Sequence, residues 1–287
     1  MDQLERHREA IRGRLLRSGA VRAGPGSVFW KVHREWMVAA GWGRAILLQL
    51  AHPAVAAGVR DHSSFRGSLR ASLGRARSTV SATLAISFGD EEEMIGAAAR
   101  INSIHDRVRG TTYSAHDPEL QRWVHATLLQ STLLSYTRLV GPLPPRERDR
   151  YCAEAAIMEP LLGIPWGWLP RDVAQLDAYM QEMLAGGHLV VTDTSRALAR
   201  AMLYPSRSFL CWPAFRALQL LTVGTLPSSI RQDYGFAWRA RDARALARCV
   251  ALLRTGRRLL PPIAREWQAA RGSRRRGPRL RRLRAVG

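Results

Sequence analysis

The sequence predicts an all-α protein, on three observations. Ala, Leu and Arg recur along the whole 287-residue chain, while runs of β-branched residues are few and short. Apolar residues return at helical spacing. Caps, prolines and glycines stand where such helices should begin and end.

The elements follow in order. Leu4, Ile11 and Leu15 share one face of a charged N-terminal helix, which Gly24-Pro25-Gly26 terminates. Segments near 27–39 and 43–51 come next. The second closes at His52-Pro53, because proline cannot continue the hydrogen-bond ladder. Residues 54–72 hold a short helix and a polar loop around Asp61-His62-Ser63-Ser64. Helices are then predicted near 73–87, 91–109, 117–140, 146–160 and 172–186. Asp90 caps the second of these ahead of Glu91-Glu92-Glu93, acids that suit the helix dipole. Asp117-Pro118-Glu119 places a cap and then proline at the first helical position. Pro144-Pro145 and the stretch from Pro165 to Pro170 are linkers, and further helices are predicted near 193–203, 209–222, 227–233, 240–255 and 259–270. Residues 1–26 are an N-terminal helix and linker, 27–270 one helical domain, and 271–287 an arginine-rich tail expected to be disordered.

Hydrophobic residues make up 46% and charged residues 23%, which suits a soluble globular protein with a real core. The net charge of +21 is extreme, but Lys31 is the sole lysine, and eight arginines with no acid crowd into the last 17 residues. An arginine preference of this kind reflects codon usage as much as function. The charge reads as a solvated face plus a tail, with no specific nucleic-acid partner, and leaves peripheral contact with an anionic membrane open. Cys152, Cys211 and Cys249 are far apart and in no CxxC spacing, so free thiols in a reducing compartment are expected. The N-terminus lacks the apolar centre of a signal peptide, and the best apolar run, Ala45 to Val59, is broken by Gln49, His52 and Pro53. Cytoplasmic localisation is the expectation.

His105 is the first candidate for chemistry. It sits i+4 from Ile101 and i−3 from Val108, on a stripe with Ile104, and Arg109 follows one turn later. A neutral imidazole among apolar side chains is a good haem ligand; a core histidine bonded to a neighbouring helix is the plainer alternative. Arg75 and Thr79 are i and i+4 on a largely apolar face, where an arginine needs an anionic partner, a haem propionate or an acidic side chain. His52 closes an apolar helix and either caps it or lines a pocket. Bare-metal and hydrolase motifs are missing: there is no HExxH and no GxSxG.

An ordered series of segments resembles the helical domain shared by bacterial latex-clearing rubber oxygenases and the ER-bound oxygenase of mycophenolic acid biosynthesis. The series is Leu50-Ala-His-Pro-Ala-Val-Ala-Ala-Gly-Val59, His62-Ser-Ser-Phe65, Arg75-x-x-x-Thr79, Phe88-Gly89, Ile104-His-Asp-Arg-Val-Arg-Gly110, Tyr113-Ser-Ala-His-Asp-Pro-Glu-Leu120 and Trp123-Val-His125. Tyr151, Leu162-Gly163-Ile164-Pro165 and Leu226-Pro227 continue it, so the resemblance spans about 27–235. It implies a globin-like all-α fold binding haem b. His105 then matches the axial iron ligand, Arg75 and Thr79 the paired residues near the haem, and Arg109 the arginine one turn past the ligand. His125 falls in the segment that supplies further pocket residues, while His188, after Gly186-Gly187, has no counterpart. The rubber oxygenases carry a glutamate upstream of the Arg-x-x-x-Thr motif; here the only acid between Val38 and Gly89 is Asp61, at a different spacing. The resemblance therefore implies a haem-dependent oxygenase using dioxygen on a small apolar, isoprenoid-like substrate rather than on polyisoprene. Two other functions stay open: a haem sensor or carrier without catalysis, and a helical protein binding nucleic acid or anionic membrane, which would carry no chromophore.

Overall fold

A computed structural model describes residues 2–62, 69–204 and 212–275, with the side chains at 69–73, 75, 76, 212 and 275 outside the description. Helices follow one another as α1 (Gln3–Ser18), α2 (Val28–His33), a 3-10 turn (Trp36–Gly41), α3 (Trp42–Leu50), α4 (Pro53–His62), α5 (Leu69–Phe88), α6 (Glu91–His105), α7 (Pro118–Leu139) and α8 (Pro145–Ala155). Then come α9 (Met158–Leu162), α10 (Val173–Ala185), α11 (Asp193–Leu203), α12 (Trp212–Gly224), α13 (Ser228–Asp233), α14 (Ala240–Leu259), α15 (Pro262–Arg265) and α16 (Gln268–Arg275). The all-α expectation is met. Isolated bridges join Glu35 with Glu266 and Arg109 with Ser114, and Val21 is also a bridge residue.

The predicted starts are real. Asp90 accepts from the Glu93 N–H while the Glu93 carboxylate accepts from the Asp90 N–H, a reciprocal cap that opens α6. Asp117 accepts from the Glu119 N–H at 2.9 Å and opens α7 with Pro118 in its first turn. α7 is the axis of the core. Trp123, Ala126, Leu129, Leu133 and Tyr136 meet α3 through Leu47 and Leu48 and α10 through Leu176 and Met180. Gly41 sets how close the 3-10 turn can come to it, since a Cβ there would stand 2.5 Å from the Ser131 carbonyl oxygen.

A second cluster joins α1, α6 and α9. Ile11 and Leu15 are fully buried against residues that include Met94, Ile95, Ala98 and Leu161. The N-terminal helix is thus part of the packed body. Three buried charges are satisfied, as burial requires. Glu159 accepts from Arg171 at 2.6 Å and from the Leu169 N–H, Glu35 takes a two-pronged contact from Arg257, and Arg44 donates to Ser131, Gln130 and the Thr225 carbonyl. Arg44 has only neutral acceptors in these bonds, and burial pushes its pKa down to about 10, with Arg138 adding to the effect.

The C-terminal end differs from expectation. Residues 271–275 complete α16, with Ala270 fully buried and Ser273 buried, and Arg274 lies over the Trp30 ring and pairs with Glu266. The rest of the predicted disordered tail, 276–287, lies outside the described residues. Cys152 is buried, its thiol pushed up to about 12 by burial and then by Asp149; Cys249 is partly buried, and both are free. Cys211 lies outside the described residues. No described helix is long and apolar enough to cross a membrane.

Candidate functional site

α6 stops at His105 instead of running on to Arg109. Asp106 is the physical reason. Its carboxylate accepts from Gln3 Nε2 at 2.6 Å, His7 Nε2 at 2.8 Å and His116 Nε2 at 2.8 Å, which ties the chain to α1 and to the segment before α7. Partial desolvation would raise this carboxyl, but hydrogen bonds from His7, His116 and Gln3 outweigh it and hold it down to about 2. The backbone leaves α6 through tight turns, Arg107 N–H to Ile104 and Val108 N–H to His105, and then forms the Arg109–Ser114 bridge. Gly110 lies under the Tyr113 ring, where a Cβ would stand 2.6 Å from a ring carbon.

Two expectations for this helix are corrected. Arg109 is exposed on the loop, not one turn above His105. Ile104 is 50% exposed, so the stripe of Ile101, Ile104 and Val108 is not the buried face. Met94, Ala98 and Asn102 form that face, and His105 continues it at i+3 from Asn102.

His105 is partly buried. Burial, and then the neighbouring His116, push its pKa down to about 4 against the pull of Asp106. Its Nδ1 is buried without a hydrogen-bond partner, and its ring meets that of His116 edge-on at 5.8 Å between centroids. On α7, His125 is buried too; burial, and then His105, push it down to about 4. His105 and His125 are thus both held in the neutral form, each feeling the charge of another histidine.

His52 follows α3 directly, and its Nδ1 is likewise buried and unpartnered. Burial, then His188, lowers its pKa, with Asp117 opposing. The Val190 N–H donates to the Ala51 carbonyl at 2.9 Å, which holds the His188 loop there. His188, which has no counterpart in the family's motifs, is brought toward His52 by a loop remote in the chain. Gln121 Oε1, Arg122 Nε and Trp123 Nε1, at the start of α7, are also buried without partners.

The remaining expected residues are placed as follows. α5 packs against α6 after a turn at Gly89-Asp90, and Arg75 and Thr79 are the seventh and eleventh residues of α5. The Arg75 side chain lies outside the described residues. Thr79 is exposed, and its carbonyl accepts from the Thr83 hydroxyl at 2.9 Å. Asp61, the lone acid of its stretch, accepts from the Tyr113 hydroxyl at 2.8 Å and from Arg60 at 2.7 Å. His62 donates to the Arg109 carbonyl at 3.3 Å, while Ser63 to Phe65 lie outside the described residues. A groove of about 820 Å³ between α1, α5, α6 and α16 is lined in part by Arg8, Arg77, Leu84 and Arg100, and none of the expected site residues lines it.

Uncharged nitrogen donors next to orphaned polar atoms suit a cofactor more than a bare ion. Among the described residues no three His, Cys, Asp or Glu side chains converge to cage a metal. A neutral imidazole can instead complete the coordination of an iron whose other positions a macrocycle fills.

Comparison with known proteins agrees on the family and stops short of an activity. The chain is 28% identical over 227 residues to "Uncharacterized protein Rv2237" of Mycobacterium tuberculosis and to "Uncharacterized protein Mb2261" of Mycobacterium bovis, covering 75% of this chain and 87% of each relative. No solved structure matches. Residues 30–255 match the catalytic domain described as ER-bound oxygenase mpaB/B'/rubber oxygenase, a span that holds α3 to α7 and every expected site residue. The chain belongs to that family of oxygenase catalytic domains.

Proposed function

We propose that the protein is a haem b-dependent oxygenase that acts on a small apolar substrate with dioxygen, and that His105 is the axial iron ligand. One observation carries the assignment: His105 is an imidazole held neutral, its Nδ1 buried with nothing to bond. An unpaired buried nitrogen costs roughly 1–3 kcal/mol, so a ligand that engages the ring would offset that cost. The oxygenase family supports the reaction class.

In this reading Asp106 fixes the turn that orients His105, since Gln3, His7 and His116 all hold its carboxylate. His125 and His52 line the pocket and stay uncharged at neutral pH, which keeps the site permissive for an apolar substrate. Arg75 and Arg109 offer guanidiniums for propionates, and Thr79 a hydroxyl donor. Bound haem would supply the one-electron and dioxygen chemistry that these side chains lack. Purified protein titrated with hemin should develop a Soret band at near-stoichiometric haem. Failure to take up hemin at all would overturn the proposal.

A further inference from the structure

The positive charge of the chain is unevenly placed. From Arg239 to Gly287 there are sixteen arginines and two acids, Asp242 and Glu266, so this stretch carries +14 of the net +21. Both acids are already engaged, Asp242 by Arg216 at 3.1 Å and Glu266 by Arg274 at 2.8 Å. Arg244, Arg248 and Arg258 are exposed, and no carboxylate of the described residues pairs with them.

Within this stretch α14 has two unlike faces. Leu246, Cys249, Val250 and Leu253 pack inward with Leu220 and Leu221 of α12. On the outer face Arg241, Arg248, Leu252 and Leu259 stand at i, i+7, i+11 and i+18, about two, three and five turns, and so form one line. Leu252 is 73% exposed and Leu259 81%, and Ile263 in α15 adds a third exposed aliphatic at 59%. Trp36 is also part-exposed beside them, its indole N–H donating to the Ala264 carbonyl at 2.8 Å.

We propose that the outer face of α14, continued by Ile263 and Trp36, is a docking surface for an anionic lipid bilayer. Charge complementarity selects the phosphates, and the aliphatic line selects the bilayer. A nucleic-acid backbone would use the arginines and leave Leu252 and Leu259 in water, whereas both sets of side chains are used where headgroups meet acyl chains. The surface is peripheral, since no described helix is long and apolar enough to cross a membrane. It is independent of haem binding.

The test is cosedimentation of the full chain with vesicles of phosphatidylcholine, alone or mixed with phosphatidylglycerol. Binding is expected only to the mixed vesicles, and added salt should weaken it. Leu252→Ser with Leu259→Ser, which leaves the charge unchanged, should lower binding about tenfold or more. Arg241→Gln, Arg244→Gln and Arg248→Gln should each lower it roughly fivefold. These side chains are exposed, so unfolding midpoints should stay at the wild-type value. Undiminished binding by the leucine variant overturns the proposal. So does a wild-type chain that ignores anionic vesicles while binding duplex DNA, or while forming a dimer that the leucine variant breaks.

Discussion

At the residue scale, the histidines separate ligand from lining. His105→Ala removes the proposed iron ligand from the end of a helix whose buried face is Met94, Ala98 and Asn102, so the fold should persist. Hemin affinity should fall about tenfold or more and recover with added imidazole. His52→Ala and His125→Ala should keep the spectrum of an imidazole-ligated haem; if one of them loses it while His105→Ala does not, the ligand assignment is wrong. His33 makes a cleaner pH probe because it lies away from the site, stacked on Phe29 and hydrogen-bonded to the Tyr151 hydroxyl at 3.1 Å. Burial lowers its pKa from 6.5 to about 4. The unfolded chain therefore binds a proton that the folded chain refuses between those values. The stabilising contribution is full above pH 6.5 and lost as pH falls toward 4, at up to about 1.4 kcal/mol per pH unit. His33→Phe should flatten the denaturant-measured stability profile in that window, and an unchanged slope would refute the assignment.

Elements were legible in the sequence where their signals are local. The Asp90 and Asp117 caps and the His52-Pro53 stop mark real boundaries because each acts within one turn of its own chain. The end of α6 was not legible, since the side chains that hold Asp106 come from α1 and from the loop before α7. For the same reason the neighbourhood of His52 and His188 could not be read from spacing. Close approach of elements is equally non-local. Gly41→Ala would push a methyl group onto Ser131 and Ser135 of α7, and should cost about 1–3 kcal/mol in urea unfolding at an unchanged m-value. A neutral result would mean that the 3-10 turn can shift away from α7 freely.

For the whole molecule, the two ends of the chain are unequal. Deleting residues 1–20 removes Ile11 and Leu15 from the cluster on α6 and α9, and frees Asp106 from Gln3 and His7. Thermal stability and hemin uptake should both fall, and a truncated chain with wild-type hemin affinity would show that α1 is not needed to set the His105 turn. At the other end the position of the cut decides the outcome. Ending the chain after Ala270 would delete Arg274, which covers Trp30 and pairs with Glu266, and should destabilise. Ending it after Arg275 keeps α16 intact and should leave folding and hemin uptake unchanged.

The packing of α1 also bears on how the protein is made. Its buried residues leave the ribosome before their partners on α6 and α9, which emerge only after the chain has passed residues 105 and 162. At roughly 5–20 residues per second, Ile11 and Leu15 wait on the order of ten seconds without their native cover. For that interval the amino-terminal helix is an exposed apolar segment on a growing chain, which makes it the natural stretch for a chaperone to hold during translation.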